Sequence, residues 1–123
     1  MVDPNEIGDR GENIALDYLL EKNYIILVEN WKKSRYEIDI IVRKSNLLVF
    51  VEVKSGRESG YGPPELRVDL RKQKKIAQAA EEYLADIGGF DGDIRFDVIA
   101  VLNPRSSSPN ITHIESAFTA DFD

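Results

Sequence analysis

The stretch Tyr36-Glu37-Ile38-Asp39-Ile40-Ile41-Val42-Arg43-Lys44-Ser45-Asn46-Leu47-Leu48-Val49-Phe50-Val51-Glu52-Val53-Lys54 reads as two apolar strands joined by a short turn at Ser45-Asn46. The second strand opens with Leu47-Leu48-Val49-Phe50-Val51, a run suited to the middle of a sheet. Charged side chains are seldom buried unless paired or bound to metal, so a core strand ending in Glu52-Val53-Lys54 needs a reason for those charges. Alternation along a strand puts Glu52 and Lys54 on one face and Val51 and Val53 on the other. The length of the turn decides whether Asp39 joins them. A two-residue loop opposes Asp39 to Glu52 and Glu37 to Lys54, and a four-residue loop opposes Glu37 to Glu52. A three-residue loop opposes Asp39 to Val51 and scatters the charges over both faces. We expect an even loop, with Asp39, Glu52 and Lys54 converging on one side of the sheet.

The whole chain limits what such a cluster can be. Its 123 residues suit a single domain spanning the chain, and 42% hydrophobic with 31% charged residues suits an ordinary globular protein. No run is long enough to cross a bilayer and no segment resembles a signal peptide, so a cytoplasmic location without membrane attachment is expected. Cysteine is absent and His113 is the one histidine, which excludes disulfides, thiolate metal sites and a multi-histidine zinc site within one chain. The net charge of -6 weighs against broad, tight nucleic-acid binding, which rests on Lys and Arg neutralising phosphates.

Along the chain, Ile7, Ile14, Ala15, Tyr18 and Leu19 recur at helical spacing from about Asn5, a plausible N-cap, to Lys22. Gly8 and Gly11 weaken this helix and would let another group approach its backbone. Glu12 shares a face with Gly8, Ala15, Leu16 and Leu19, at the edge of the buried stripe. On charge statistics alone it is a solvated carboxylate. Asn23 breaks the helix and Tyr24 to Val28 reads as a strand, followed by a basic connector from Asn30 to Arg35 that contains Lys32 and Lys33. Gly56, Gly60, Gly62, Pro63 and Pro64 punctuate an exposed loop from Ser55 to Pro64. A second helix starts at Pro64 or Val68 and runs to Leu84, stopped by Gly88-Gly89. Arg67, Arg71, Lys72, Lys74 and Lys75 crowd its first half. A charged helical face is usually solvated surface, but bases early in a helix oppose its dipole, a hint that they serve an anion. Strands are expected from Ile94 to Leu102 and, at an edge, from Ile111 to Ile114, with an acidic tail from about Thr119. The order helix, three strands, helix, two strands is an α/β fold: a mixed central sheet flanked by helices, with the hairpin near its centre.

Two or three carboxylates converging with a lysine make a hard-oxygen site suited to Mg²⁺ or Mn²⁺. Such an ion beside a phosphate polarises it and lowers the pKa of a bound water, while the lysine positions that water or stabilises developing charge. Glu-x-Lys alone is a weak motif; Asp39 on the preceding strand strengthens it.

Glu37-Ile38-Asp39-Ile40-Ile41 and Val49-Phe50-Val51-Glu52-Val53-Lys54 resemble the PD-(D/E)XK nuclease signature. Gly11-Glu12 with Ala15 and Tyr18-Leu19, Asn30, Lys72-Gln73, Ala80 with Tyr83-Leu84, and Arg95-Phe96-Asp97-Val98 extend the likeness to the YraN-type family of uncharacterised bacterial proteins. This resemblance covers roughly Ile7 to Leu102. It implies a restriction-endonuclease-like fold, distantly related to archaeal Holliday-junction resolvases. It implies that Asp39, Glu52 and the Val53 carbonyl are metal ligands, that Lys54 is the catalytic lysine, and that Glu12 completes the site directly or through water. Lys72 becomes a phosphate contact. Two departures stand out: Ile38 replaces the proline of the superfamily name, and Tyr36 replaces a glycine common before Glu37.

The leading expectation is a Mg²⁺- or Mn²⁺-dependent endonuclease hydrolysing DNA, with branched or junction DNA as the structured substrate. Lys32, Arg35, Arg71, Lys72, Lys74 and Lys75 would form a basic binding rim, and a homodimer would join two rims. The alternatives are a non-catalytic nucleic-acid-binding module, whose binding survives metal removal, and a protein-interaction module that binds no DNA. In both of these the fold is kept without the chemistry.

Overall fold

The computed structural model describes residues 4–56 and 68–120, with side chains in the first segment from Arg10 onward. The elements are α1 (Pro4–Glu21), β1 (Ile25–Lys33), β2 (Tyr36–Lys44), β3 (Leu47–Gly56), α2 (Leu70–Ile87), β4 (Asp93–Leu102) and β5 (Asn110–Phe118). The five strands lie in the order β1-β2-β3-β4-β5. All neighbours are antiparallel except β3 and β4, which run parallel and are joined through α2. A parallel pair needs such a crossover because its two chain ends lie at opposite edges of the sheet.

Strand alternation sorts the core into two layers. Val49, Val51, Ile40, Val42, Ile99 and Val101 pack with Ala15, Leu16 and Leu19 of α1. Leu48, Phe50, Ile41, Phe96 and Val98 pack with Ile76, Ala79, Ala80 and Tyr83 of α2. Phe50 lies at the middle of the second layer, edge-on to Tyr83 at 5.9 Å and stacked on Phe96 at 5.5 Å. β3 and β4 are buried on both faces, which is why they read as near-continuous apolar runs. The result is a mixed α/β sheet with one helix on each face, the restriction-endonuclease-like architecture.

Several expected boundaries shift. Helix α1 begins at Pro4, so Asn5 lies inside it rather than capping it; proline suits a first helical position because its missing N–H is not needed there. Asn23 does break the chain, with φ of 71°. Strand β1 continues through the expected connector to Lys33, leaving only Ser34-Arg35 as the turn, because Trp31, Lys32 and Lys33 pair with Ile38, Glu37 and Tyr36. Lys33 is then tied to Glu82 and Asp86 of α2, so it is not part of a free basic rim. Helix α2 starts at Leu70, behind an Asp69 cap whose carboxylate accepts the Lys72 N–H at 2.8 Å, and runs to a left-handed Gly88. β5 is longer than expected: Asn110 to Ile114 pair with Leu102 to Val98 and, after an irregularity around Ser116, Phe118 rejoins opposite Phe96. The Gly/Pro loop falls outside the described residues beyond Gly56, as does the tail beyond Ala120.

Gly11 shows why α1 tolerates a weak helix former. A Cβ there would overlap the Ser55 Oγ at the end of β3, so the absence of a side chain sets how closely the helix approaches the sheet. Helix propensity alone favours Ala by about 1 kcal/mol. The contact should reverse that sign: Gly11→Ala is expected to destabilise by about 1–3 kcal/mol in denaturant titrations. Adding Ser55→Gly should recover most of the loss.

Candidate active site

The β2–β3 turn has two residues, Ser45 and Asn46, and the register runs from Lys44 opposite Leu47 to Ile40 opposite Val51. This is the even loop, and it carries Asp39 to the level of Glu52. The ladder stops there. Two residues apart on β2, Ile38 packs on the α2 side and Ile40 on the α1 side, so strict alternation is interrupted at Asp39. The Asp39 carboxylate turns into the opening and accepts the Val53 N–H at 2.8 Å. In an extended strand the N–H and C=O of one residue leave toward the same neighbour, so the Val53 carbonyl faces the same opening.

Glu52, on the α2 face, lies at the level of Asp39 on the neighbouring strand, close enough for each carboxyl to act on the other. Burial and the Asp39 charge push the Glu52 carboxyl up to about 7, and Lys72 draws it partly back. Asp39 is also raised, by burial first, against the pull of the Val53 N–H and Lys72. Lys72 Nζ lies 3.7 Å from Glu52 Oε1. Glu37 faces Lys32 across the β1–β2 pair and adds to the negative field on both carboxyls.

Lys54 is half-buried two residues beyond Glu52 on the same strand face. Glu12 is half-buried on α1, the helix of the opposite face, next to the Gly11–Ser55 contact at the end of β3. Among the described residues no three carboxylate or imidazole groups gather tightly enough to chelate an ion by themselves. The compact feature is the pair, Asp39 and Glu52. Of the six expected nucleic-acid contacts, Arg35, Lys72 and Lys75 share one cleft of about 310 Å³ with Tyr36, Glu37, Ile76 and Gln78. Lys74 faces a different hollow, with Leu70, Ala77, Thr119 and Ala120, while Arg71 and Lys32 are exposed.

Hard-oxygen donors concentrated at a desolvated, like-charged pair fit a small divalent cation, which is commonly held by one or two carboxylates with the remaining positions filled by water and substrate. The donor set passes that test through Asp39, Glu52 and the Val53 carbonyl.

Sequence reasoning missed a second polar network. Asp97 on β4 has a fully buried side chain, held by Arg95 through two hydrogen bonds of 2.8 Å, by His113 Nε2 at 2.7 Å and by the Ser116 N–H at 3.1 Å. Tyr18 of α1 reaches His113 Nδ1 at 3.0 Å, and Arg95 also donates to Tyr24 at 2.8 Å. Burial by itself would raise the Asp97 carboxyl, but the bonds from His113, Arg95 and Ser116 outweigh it and hold the group below its usual range. The available signal was Arg95-x-Asp97, two opposite charges on one face of an otherwise apolar strand.

These two buried sites should respond oppositely to mutation. A raised carboxyl lowers stability progressively as pH climbs from the unfolded value near 4.5 to about 7, since ionising it in the folded state is unfavourable. Metal-free Glu52→Gln is therefore expected to exceed wild type at pH 8 by on the order of 1–3 kcal/mol, the difference vanishing below about pH 4.5. Asp97→Ala removes the buried acceptor that Arg95, His113 and the Ser116 N–H share and should cost about 3–5 kcal/mol in the same assay.

Comparison with known proteins agrees with this picture at the level of family. Residues 11–101 match the model described as Uncharacterised protein family UPF0102. A UPF0102 protein of Bacteroides thetaiotaomicron is 41% identical over 118 residues, covering 96% of each chain. One from Geobacter sulfurreducens is 43% identical over 112 residues, covering 91% of this chain and 88% of its own. One from Rhodococcus jostii is 39% identical over 112 residues, covering 91% and 95%. Nearly the whole of each relative is thus spanned, with the α1 glycine, the hairpin and β4 inside the matched region: the chain belongs to the UPF0102 family.

Proposed function

We propose that the protein is a metal-dependent endonuclease that hydrolyses DNA phosphodiester bonds at the Asp39–Glu52 pair. The observation that carries this reading is the pair itself. Two carboxyls from adjacent strands, one of them fixed by the Val53 N–H, converge in a largely desolvated opening, where both can be ionised together at neutral pH only if a cation neutralises them. Mg²⁺ or Mn²⁺ held by Asp39, Glu52 and the Val53 carbonyl would polarise a phosphoryl oxygen and acidify a bound water.

The chain's own groups divide the remaining work. The Val53 N–H fixes one oxygen of Asp39, so this carboxylate is oriented before any ligand arrives. Lys54, on the same strand face as Glu52, supplies a point positive charge for the attacking water or for charge building on the phosphorane-like oxygens. Lys72 stands beside Glu52 at the first turn of α2 and offers its ammonium to the phosphate. Glu12 approaches from α1 and completes the site directly or through water. Branched or junction DNA is the structured substrate class, and a homodimer would present two such sites to it. Among the described residues no helix is long and apolar enough to cross a membrane.

Calorimetric titration of Mg²⁺ and Mn²⁺, followed by nicking assays on linear duplex and four-way-junction DNA, tests the reading. Wild type should bind metal and nick in its presence. Asp39→Ala and Glu52→Ala should lose binding and at least 100-fold in rate, whereas Lys54→Ala should keep metal and lose rate, since one charge-stabilising group is worth about 10²–10³. Nicking retained by Glu52→Ala, or no metal binding by wild type, would overturn the proposal. DNA binding indifferent to chelator would then identify a non-catalytic module.

A further inference from the structure

We infer that the cleft beside the carboxylate pair takes one unpaired nucleotide of a DNA strand, so that substrates are selected by an unstacked base next to the cleaved phosphate. The inference rests on the nuclease reading for the word "cleaved" but not for the binding itself.

The cleft measures about 310 Å³ and lies between the β1–β2 turn, which supplies Arg35, Tyr36 and Glu37, and α2, which supplies Lys72, Lys75, Ile76 and Gln78. That volume sits at the low end of small-molecule sites, which run from about 300 to 1,000 Å³. It suits a single nucleotide and is far too small to enclose a double helix. Its chemistry is divided as a nucleotide requires. Lys72 and Lys75 are three residues apart on one helix, so their ammonium groups lie on the same face, within reach of one phosphate. Arg35 lies over the Tyr36 ring, its guanidinium carbon 5.5 Å from the centroid, making an aromatic–guanidinium platform on which a base can stack. Gln78 offers both a donor and an acceptor for a base edge. Ile76 provides an apolar wall.

Charge supports the same occupant. Three cations and one carboxylate line the cleft, in a chain whose net charge is -6. The one acid, Glu37, stands two residues before Asp39 on β2, so the cleft adjoins the strand that carries the pair. Lys72 belongs to both places, lining the cleft and lying 3.7 Å from Glu52 Oε1. A phosphate held by Lys72 is therefore adjacent to the carboxylates, and its nucleotide is the one beside the scissile bond. A base in a duplex has both faces stacked and its edge paired, so it can meet Tyr36 only after leaving the helix. Flaps, gaps and single strands already contain such bases, and intact duplex does not.

The test is fluorescence anisotropy of the full chain in EDTA, with a labelled 12-nucleotide oligothymidine and a mixed-sequence duplex of equal length. Wild type should bind the single strand at least 10-fold more tightly. Tyr36→Ala should weaken single-strand binding by about 5- to 100-fold, the range for losing one stacked base, without changing the duplex. Tyr36→Trp should restore it. Lys75→Gln and Gln78→Ala, at exposed positions on α2, guard against a folding defect in Tyr36→Ala. Each should weaken the single strand, and Lys75→Gln should flatten the log–log salt slope by about 0.7. Equal or tighter duplex binding, or single-strand binding unchanged in all of these variants, overturns the inference. Metal-dependent nicking of intact duplex that Tyr36→Ala leaves untouched would overturn it while sparing the nuclease reading. Single-strand binding lost in Tyr36→Ala, with no cleavage under any metal, would uphold the cleft and remove the nuclease.

Discussion

The Asp39 carboxylate takes the Val53 N–H at the point where β2 stops pairing with β3. A buried backbone donor needs an acceptor, and at this level a side chain replaces the neighbouring strand's carbonyl. That exchange allows the two strands to part without leaving the Val53 N–H unpaired. It also fixes Asp39 beside Glu52, while β4 holds β3 straight from Leu47 to Gly56 through an unbroken parallel register. Beyond Val51 no described strand pairs with one edge of β3, while the other is clamped. The site is a consequence of that asymmetry.

The clamp depends on burial over both faces of β3 and β4. Phe50, Phe96 and Tyr83 lock α2 to one face, and Leu19, Val49 and Val51 lock α1 to the other. With the sheet rigid, the first turn of α2 brings Lys72 to Glu52, and the tie from Lys33 to Glu82 and Asp86 holds the β1–β2 turn against the same helix. The cleft is the space those two constraints leave. Lys33 illustrates how little a charge run says alone: it is spent on an intramolecular contact, while Arg35, two residues later, faces the cleft.

The two buried acidic sites are electrostatic opposites. Asp97 is encircled by a guanidinium, an imidazole and a backbone N–H, and is stabilised as a carboxylate. Asp39 and Glu52 face each other with one ammonium at 3.7 Å from Glu52 and are pushed toward protonation. A completed network of the first kind belongs to folding, here joining α1, β4 and β5 through Tyr18, His113 and Asp97. Carboxyls of the second kind, crowded and desolvated, are what functional sites concentrate.

The hairpin was legible in the sequence because alternation is a local rule: Glu52 and Lys54 share a face whatever surrounds them, and an even loop around Ser45-Asn46 was needed to bring Asp39 to that face, though its two-residue length was set by the strand register. The β3–α2–β4 order and the apolar runs likewise determined an α/β sheet buried on both faces. What sequence could not supply were distances between segments far apart in the chain. Periodicity placed Glu12 at the edge of a stripe, but only the packing of Gly11 on Ser55 puts it near the end of β3. The six basic residues looked alike until the helix and turn docked and only Arg35, Lys72 and Lys75 met. His113 and Asp97, sixteen residues apart, became partners only through the β4–β5 pairing. Local chemistry is written in nearest neighbours and strand or helix periods, and the sequence by itself determined that much. The environment that gives each charge its meaning depends on tertiary packing, which desolvates some groups, pairs others and leaves Asp39 and Glu52 facing one another.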